Sequence, residues 1–156
     1  NLWDVPNLLM QKFPAPNFTA TARVRFTPSG LYLGERAGLV VLGYDYATLS
    51  LENTQDGIFL SVNECIKARN GEAEKMKSTP IKVSGELFLR VKVVQRDGAA
   101  VCSFSYSADN KKFVPLGGEF TAQPGRWIGA KMGFFVTRPT ITQDAGYFDV
   151  YNFLVE

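Results

Sequence analysis

The side chains of this sequence that could do chemistry are acids and aromatic rings. No histidine occurs among its 156 residues, so Ser-His-Asp and Cys-His nucleophilic arrangements are excluded. Glycoside hydrolysis asks for less, two carboxylates at a set separation. Of the 15 acids, Glu72 and Glu74 are the nearest pair at the alternate positions that one strand aims to one side. They lie in a polar, loop-like stretch and are expected at the solvated surface, where glutamate usually stands. The rings offer a second chemistry. Sugars stack their apolar C–H faces on flat side chains while polar groups take the hydroxyls, which requires rings that are exposed yet rigid. Tyr32, Tyr44, Tyr46 and Trp127 are the candidates. Tyr44 and Tyr46 read either as such rings or as a strand-end pair at a bend, and Tyr32 sits in a loop. Trp127 follows Pro124-Gly125 and precedes the apolar run 128–136, at a loop-to-strand corner. It either presents its ring to a ligand or packs at the domain edge.

The segments that must hold these groups read as strands. At 101–107, Cys102, Phe104 and Tyr106 share one face, and Val101, Ser103, Ser105 and Ser107 the other. That period of two marks a half-buried strand. Asp97-Gly98 before it is a two-residue hairpin signal, and Ala108-Asp109-Asn110 after it is turn chemistry. Residues 112–116 resume an extended run, which Gly117-Gly118 is expected to end, leaving 120–125 as a connection. Residues 18–26 alternate Phe, Ala, Ala, Val and Phe with Thr and Arg, as a strand with one wet side does. Further runs cover 8–13, 37–44, 46–52, 58–66, 87–93, 128–137 and 147–155, with hairpin signals at Asp56-Gly57 and Asn70-Gly71. Residues 67–78 read as an exposed loop with one edge strand. No amphipathic helix competes, and the pattern gives a single all-β domain, an antiparallel two-sheet sandwich.

Bulk properties narrow the function classes. A chain of this length forms one domain and buries roughly 70% of its unfolded surface. Seventeen basic and 15 acidic residues give a net charge of +2, and no basic stripe offers a nucleic-acid footprint. No apolar run approaches the ~20 residues of a membrane helix. Two cysteines, without histidine or a Cys-x-x-Cys pair, make neither a disulfide framework nor a zinc site. Cys102 shares a face with Phe104, whereas Cys65 stands opposite Leu60 and Val62, so two free thiols are expected. Gly117-Gly118 opens no helix and cradles no phosphate. Leu2 and Trp3, large and apolar at the very start, read as the continuation of a longer polypeptide or as a tail with one docked ring.

The pattern Phe104-Ser105-Tyr106-Ser107, Asp109, Phe113, Leu116-Gly117 and Phe120 resembles a hairpin of concanavalin A-like sandwiches. Together with Trp127-Ile128-Gly129-Ala130-Lys131-Met132-Gly133, it is similar to the C-terminal β-sandwich of glycoside hydrolase family 43, the β-xylosidase and α-L-arabinofuranosidase type. Residues 6–12 and 35–40 and the closing Tyr147-Phe148-Asp149…Phe153 fit the same domain in order, so the resemblance covers nearly the whole chain. It implies a concanavalin A-like jelly roll, residues 1–156, cut from a longer glycosidase whose catalytic acids belong to an N-terminal propeller. The chain alone is then not an enzyme. Its partners would be that propeller and xylan- or arabinan-derived oligosaccharides, with Trp127 on a loop that reaches the catalytic pocket. The alternatives are a free-standing carbohydrate-binding module and a catalytic jelly-roll glycanase, which the absent acid motif argues against. The resemblance also implies a structural calcium at Asp149; where the related pattern has a second acid, this chain has Tyr151.

Overall fold

The alternation at 18–26 becomes β2 (Phe18–Thr27), with Ala20, Ala22 and Val24 buried and Arg23 and Arg25 exposed. A computed structural model describes residues 2–4, 7–125, 129–139 and 146–156. The other strands are β1 (Leu8–Lys12), β3 (Arg36–Leu42), β4 (Tyr46–Thr54), β5 (Gly57–Cys65), β6 (Lys75–Met76), β7 (Ile81–Val83), β8 (Glu86–Arg96), β9 (Ala99–Ser107), β10 (Val114–Ala122), β11 (Lys131–Thr137) and β12 (Tyr147–Val155). No α-helix occurs among the described residues; 3₁₀ turns stand at Leu2–Asp4 and Ala68–Asn70.

Two antiparallel sheets result. One runs β1-β11-β3-β4-β5-β6, with β7 also on β5; the other runs β10-β9-β8-β2-β12. The inward faces meet in one core that includes Ala20, Val24, Leu39, Leu49, Leu89 and Phe104. The β8–β9 hairpin turns at Asp97 and Gly98, both at positive φ (49° and 79°), as its two-residue turn requires.

Two expectations change here. Gly117-Gly118 does not end a strand: β10 continues to Ala122, and its pairing with β9 slips between Leu116 and Phe120. The two glycines form a bulge, an extra stretch that bends an edge strand without terminating it. Residues 67–78 are not simply an exposed loop. Together with the 2–4 turn they fold over the outer face of the β3–β4 sheet, where Leu2, Val40, Tyr46, Cys65, Ala68 and Phe135 form a second apolar cluster. The two cysteines are free and buried, Cys102 in the central core and Cys65 in the outer cluster.

Candidate functional site

Tyr46 opens β4 on that outer face, and its side chain is completely buried. Its hydroxyl donates to Glu74 Oε1 at 2.8 Å and accepts the Leu2 N–H at 3.2 Å. Burial pushes this phenol above its ordinary range; the Leu2 N–H opposes the shift and the Glu74 carboxylate adds to it. A ring with no exposed face cannot stack on a sugar, so the structure removes Tyr46 from the binding candidates.

Glu74 corrects the expectation of a solvated acid pair. Its second oxygen accepts Arg36 Nη1 at 2.7 Å, and both side chains are about four-fifths buried. Arg36 also donates from Nε to Ser50 Oγ at 3.2 Å and lies 5.9 Å from the Phe135 ring centroid. Both Glu74 oxygens are therefore committed to holding the 67–76 segment onto the sheet. Glu72 is exposed, and its carbonyl accepts the Cys65 thiol at 3.0 Å. These two acids do not converge on one site.

Tyr44 stands in the turn between β3 and β4 and is half-buried. Trp3 stacks on it, with centroids 6.5 Å apart and planes 10° from parallel, and the Arg69 guanidinium lies 5.5 Å from its centroid. Its ring is thus engaged from within the chain. Tyr32 belongs to the loop from β2 to β3, at the other end of the sandwich, where its carbonyl accepts Asn53 Nδ2 at 2.8 Å. Among the described residues, the candidate rings Tyr32, Tyr44 and Tyr46 do not assemble into one platform.

Trp127 lies outside the described residues. The chain on either side of it is described, and Pro124 and Gly129 line a cleft of about 470 Å³ at this end of the sandwich. Lys12, Gln95, Thr121 and Gln123 supply polar groups to the cleft and Phe13 a ring. That mixture suits a polyol with an apolar face. The described chain that precedes Trp127 is held at Pro124 by a backbone contact that the sequence did not reveal. Tyr44 N–H donates to the Pro124 carbonyl at 3.2 Å, and a β-carbon on Gly43 would stand 1.6 Å from the Gln123 carbonyl oxygen.

A second feature missed in the sequence is Glu35, a carboxylate only 3% exposed. It accepts backbone N–H groups of Ser29 and of Gly146, the latter at 3.1 Å, and so ties the β2–β3 loop to the start of β12.

The neighbourhood of Asp149 does not fit calcium. Its register partner is Arg25, and the Tyr151 ring lies 5.4 Å from the Arg23 guanidinium. Calcium takes six to eight oxygen ligands, whereas the carboxylate nearest in register, Glu86, is already paired with Arg23 and Arg25. Among the described residues, no three acids or cysteines group as metal ligands.

Comparison with known proteins agrees with this architecture. A β-xylosidase of Formosa agariphila is 29% identical over 150 residues, a match that covers 96% of this chain and 23% of the enzyme. A crystal structure of a GH43 protein from Bacillus licheniformis superposes with a TM-score of 0.75 at 20% identity, over 96% of this chain and 29% of that one. A bifunctional GH43-CE protein of Bacteroides eggerthii gives 0.78 at 17% identity, over 97% and 19%. The chain spans less than a third of the length of each. Since the model of the β-xylosidase C-terminal concanavalin A-like domain matches residues 1–154, the chain belongs to that domain family of glycoside hydrolase family 43 proteins.

Proposed function

We propose that this chain is the non-catalytic accessory domain of a glycosidase acting on xylo- or arabino-oligosaccharides, and that it packs on a catalytic propeller of the same polypeptide and forms one wall of its active site through Trp127. The observation that carries the reading is the open end of the sandwich. Its 470 Å³ cleft is lined by Pro124 and Gly129, the Pro124 carbonyl being held by the Tyr44 N–H, while Tyr44 and Tyr46 are spent on the domain's own packing. Such an end resembles half of a site that a second domain completes. A free-standing binding module would instead need its stacking platform complete within one chain.

The test is Trp127→Ala in the intact enzyme. Truncating a buried interface aromatic often costs more than 2 kcal/mol, roughly a thirtyfold effect. A contact made equally to ground state and transition state appears in KM alone, and one made only in the transition state appears in kcat. Short xylo-oligosaccharides should therefore show a raised KM or a lowered kcat, and the chain alone should bind them weakly or not at all. Tight binding by the chain alone, lost on Trp127→Ala, would establish the binding module instead. Unchanged kinetics with lowered thermal stability would make Trp127 a packing residue.

A further inference from the structure

The solvent face of the five-stranded sheet holds an arginine without a counter-charge. Along β8 the apolar Leu87, Leu89, Val91 and Val93 are buried between the sheets, so alternation turns Glu86, Phe88, Arg90 and Lys92 outward. Phe88 and Arg90 are nonetheless half-buried. Arg90 is held from two directions. Its Nε donates to Oγ1 of Thr21, its register partner on β2, at 2.9 Å. The Phe113 ring centroid lies 3.4 Å from its guanidinium carbon. Phe113 follows the β9–β10 turn, which the Asp109 carboxylate closes by accepting the N–H groups of Lys111 and Lys112. Arg23, Arg25, Arg36 and Arg96 all pair with glutamates, whereas no ion pair among the described residues includes Arg90.

We propose that Arg90 is the centre of a second carbohydrate site, one that takes the carboxylate of a uronic acid residue. The site shares no residue with the 470 Å³ cleft and does not depend on the wall reading. A guanidinium fixed at Nε and covered on one face keeps its two Nη groups in a set plane. That fork receives a planar carboxylate through two parallel hydrogen bonds. Arg90 lines a pocket of about 80 Å³ on this face. Such a volume is the room of about two or three waters, which a carboxylate fills and a whole sugar ring does not. The ring that carries the carboxylate therefore stays at the mouth. The pocket's other lining groups suit that ring: Asn110 and Asn152 offer amide donors and acceptors to its hydroxyls, and Phe88 offers an apolar surface to its C–H face. The local charge favours an anion. Arg23 in the pocket lining is already paired with Glu86, and Glu156 is the acid among the lining residues. Lys111 and Lys112, which follow Asn110, are exposed and belong to no ion pair among the described residues. With Arg90 they outnumber Asp109 and Glu156.

The test is binding of glucuronate to the intact enzyme, read by saturation-transfer NMR, with glucose, acetate and glucose 6-sulfate titrated in parallel. Glucuronate should bind at least fivefold more tightly than any of the three. Arg90→Lys keeps the charge but loses the fork, and should weaken glucuronate at least fivefold. Asn152→Asp places a second acid in the pocket at an exposed position, where folding is not at risk, and should weaken it in the same direction. Glu156→Gln removes the resident acid and should tighten it at least twofold. Trp127→Ala should leave glucuronate binding unchanged, so this site and the wall reading stand or fall separately. Glucuronate affinity that ignores both Arg90→Lys and Asn152→Asp would overturn the proposal. Glucose binding as tightly as glucuronate would remove the carboxylate from it, acetate binding as tightly would remove the sugar, and a preference for the sulfate would replace the uronic acid with a sulfated sugar; each of these outcomes also overturns it.

Discussion

Gly43 and Gln123 meet backbone to backbone: a β-carbon at position 43 would stand 1.6 Å from the Gln123 carbonyl oxygen. Beside this contact, Tyr44 N–H donates to the Pro124 carbonyl. The β3–β4 turn therefore sets the position of Gln123 and Pro124, and anything that moves the turn moves those two residues. Trp3 and Arg69 hold the same turn through the Tyr44 ring, so Trp3, Tyr44, Arg69 and Pro124 are parts of one packed corner.

Gly43→Ala should force the two backbones apart. Overpacking of this kind costs about 1–3 kcal/mol. A neighbouring comparison is Gly118→Ala, where an added carbon meets nothing within 4 Å, and the change should stay within about 0.5 kcal/mol. In the intact enzyme Gly43→Ala should also shift KM in the direction of Trp127→Ala, and Gly118→Ala should not. Denaturant midpoints and steady-state kinetics on the same four proteins check both statements.

The Tyr46–Glu74–Arg36 cluster makes a different expectation, set by pH. Tyr46→Phe leaves one carboxylate oxygen without its donor, a loss of about 1.5–3 kcal/mol for a hydrogen bond to a charged group. The wild-type phenol is held above its ordinary range, chiefly by burial. On unfolding it ionises at its ordinary value of about 10. The unfolded state thus binds fewer protons above that pH, and stability falls as pH rises through and beyond about 10. Tyr46→Phe should remove this contribution, so the stability gap between the two proteins should narrow from pH 9 to pH 11. A gap that stays constant across that range would mean the phenol titrates alike in both states.

These two relationships show where the sequence stopped being informative. The alternation of β2 and β9 and the turn at Asp97-Gly98 were legible because they depend on residues next to one another. The run at 46–52 was legible as a strand, and in it Tyr46 shares the outer face with Thr48 and Ser50. It could not show that the outward face is covered, because the cover comes from residues 2–4 and 67–76. Glu74 looked like surface for the same reason: in the stretch Glu72-Ala73-Glu74-Lys75 nothing local marks one acid as different, and its partner Arg36 is 38 positions away. Glu35 escaped notice as a lone acid at the start of an apolar run, because the backbone N–H groups that its carboxylate accepts belong to Ser29 and the distant Gly146. For the loop that carries Trp127, the sequence supplied the residue and its Pro-Gly flank. The contact that fixes its base joins two segments roughly eighty positions apart, beyond the reach of pattern.

Asp109 gives a further pH test, of opposite sign. It accepts the N–H groups of Lys111 and Lys112, at 2.9 and 3.1 Å, and the Ser107 hydroxyl at 2.9 Å. The two backbone donors first, then the hydroxyl, hold its carboxyl below the usual carboxylate range. The folded state therefore favours the ionised form. Its contribution to stability is present above about pH 4, the unfolded value, and is lost as pH falls through the lower folded value. Wild type should exceed Asp109→Ala in urea midpoint near neutrality, and the difference should shrink steadily in acid. Equal slopes for both proteins below pH 4 would remove Asp109 from this role.

The two thiols report on two different openings of the domain. Burial pushes Cys102 up to about 12 and raises Cys65 as well, and the reactive species is the thiolate. Neither should label quickly with a disulfide reagent near pH 8 while the chain is folded. Cys102 lies between the sheets, so its labelling requires the core to open. Cys65 lies under the 67–76 segment, so displacement of that segment alone exposes it. Local openings of this kind cost less than global unfolding, and Cys65 should label first. Glu74→Gln weakens the hold of Arg36 and Tyr46 on the segment and should speed Cys65 labelling at least tenfold while leaving Cys102 within about twofold, because the central core is untouched. Mass spectrometry of time-quenched samples resolves the two sites. Parallel acceleration of both cysteines would show instead that the Glu74 cluster supports the whole fold and not the outer cover alone.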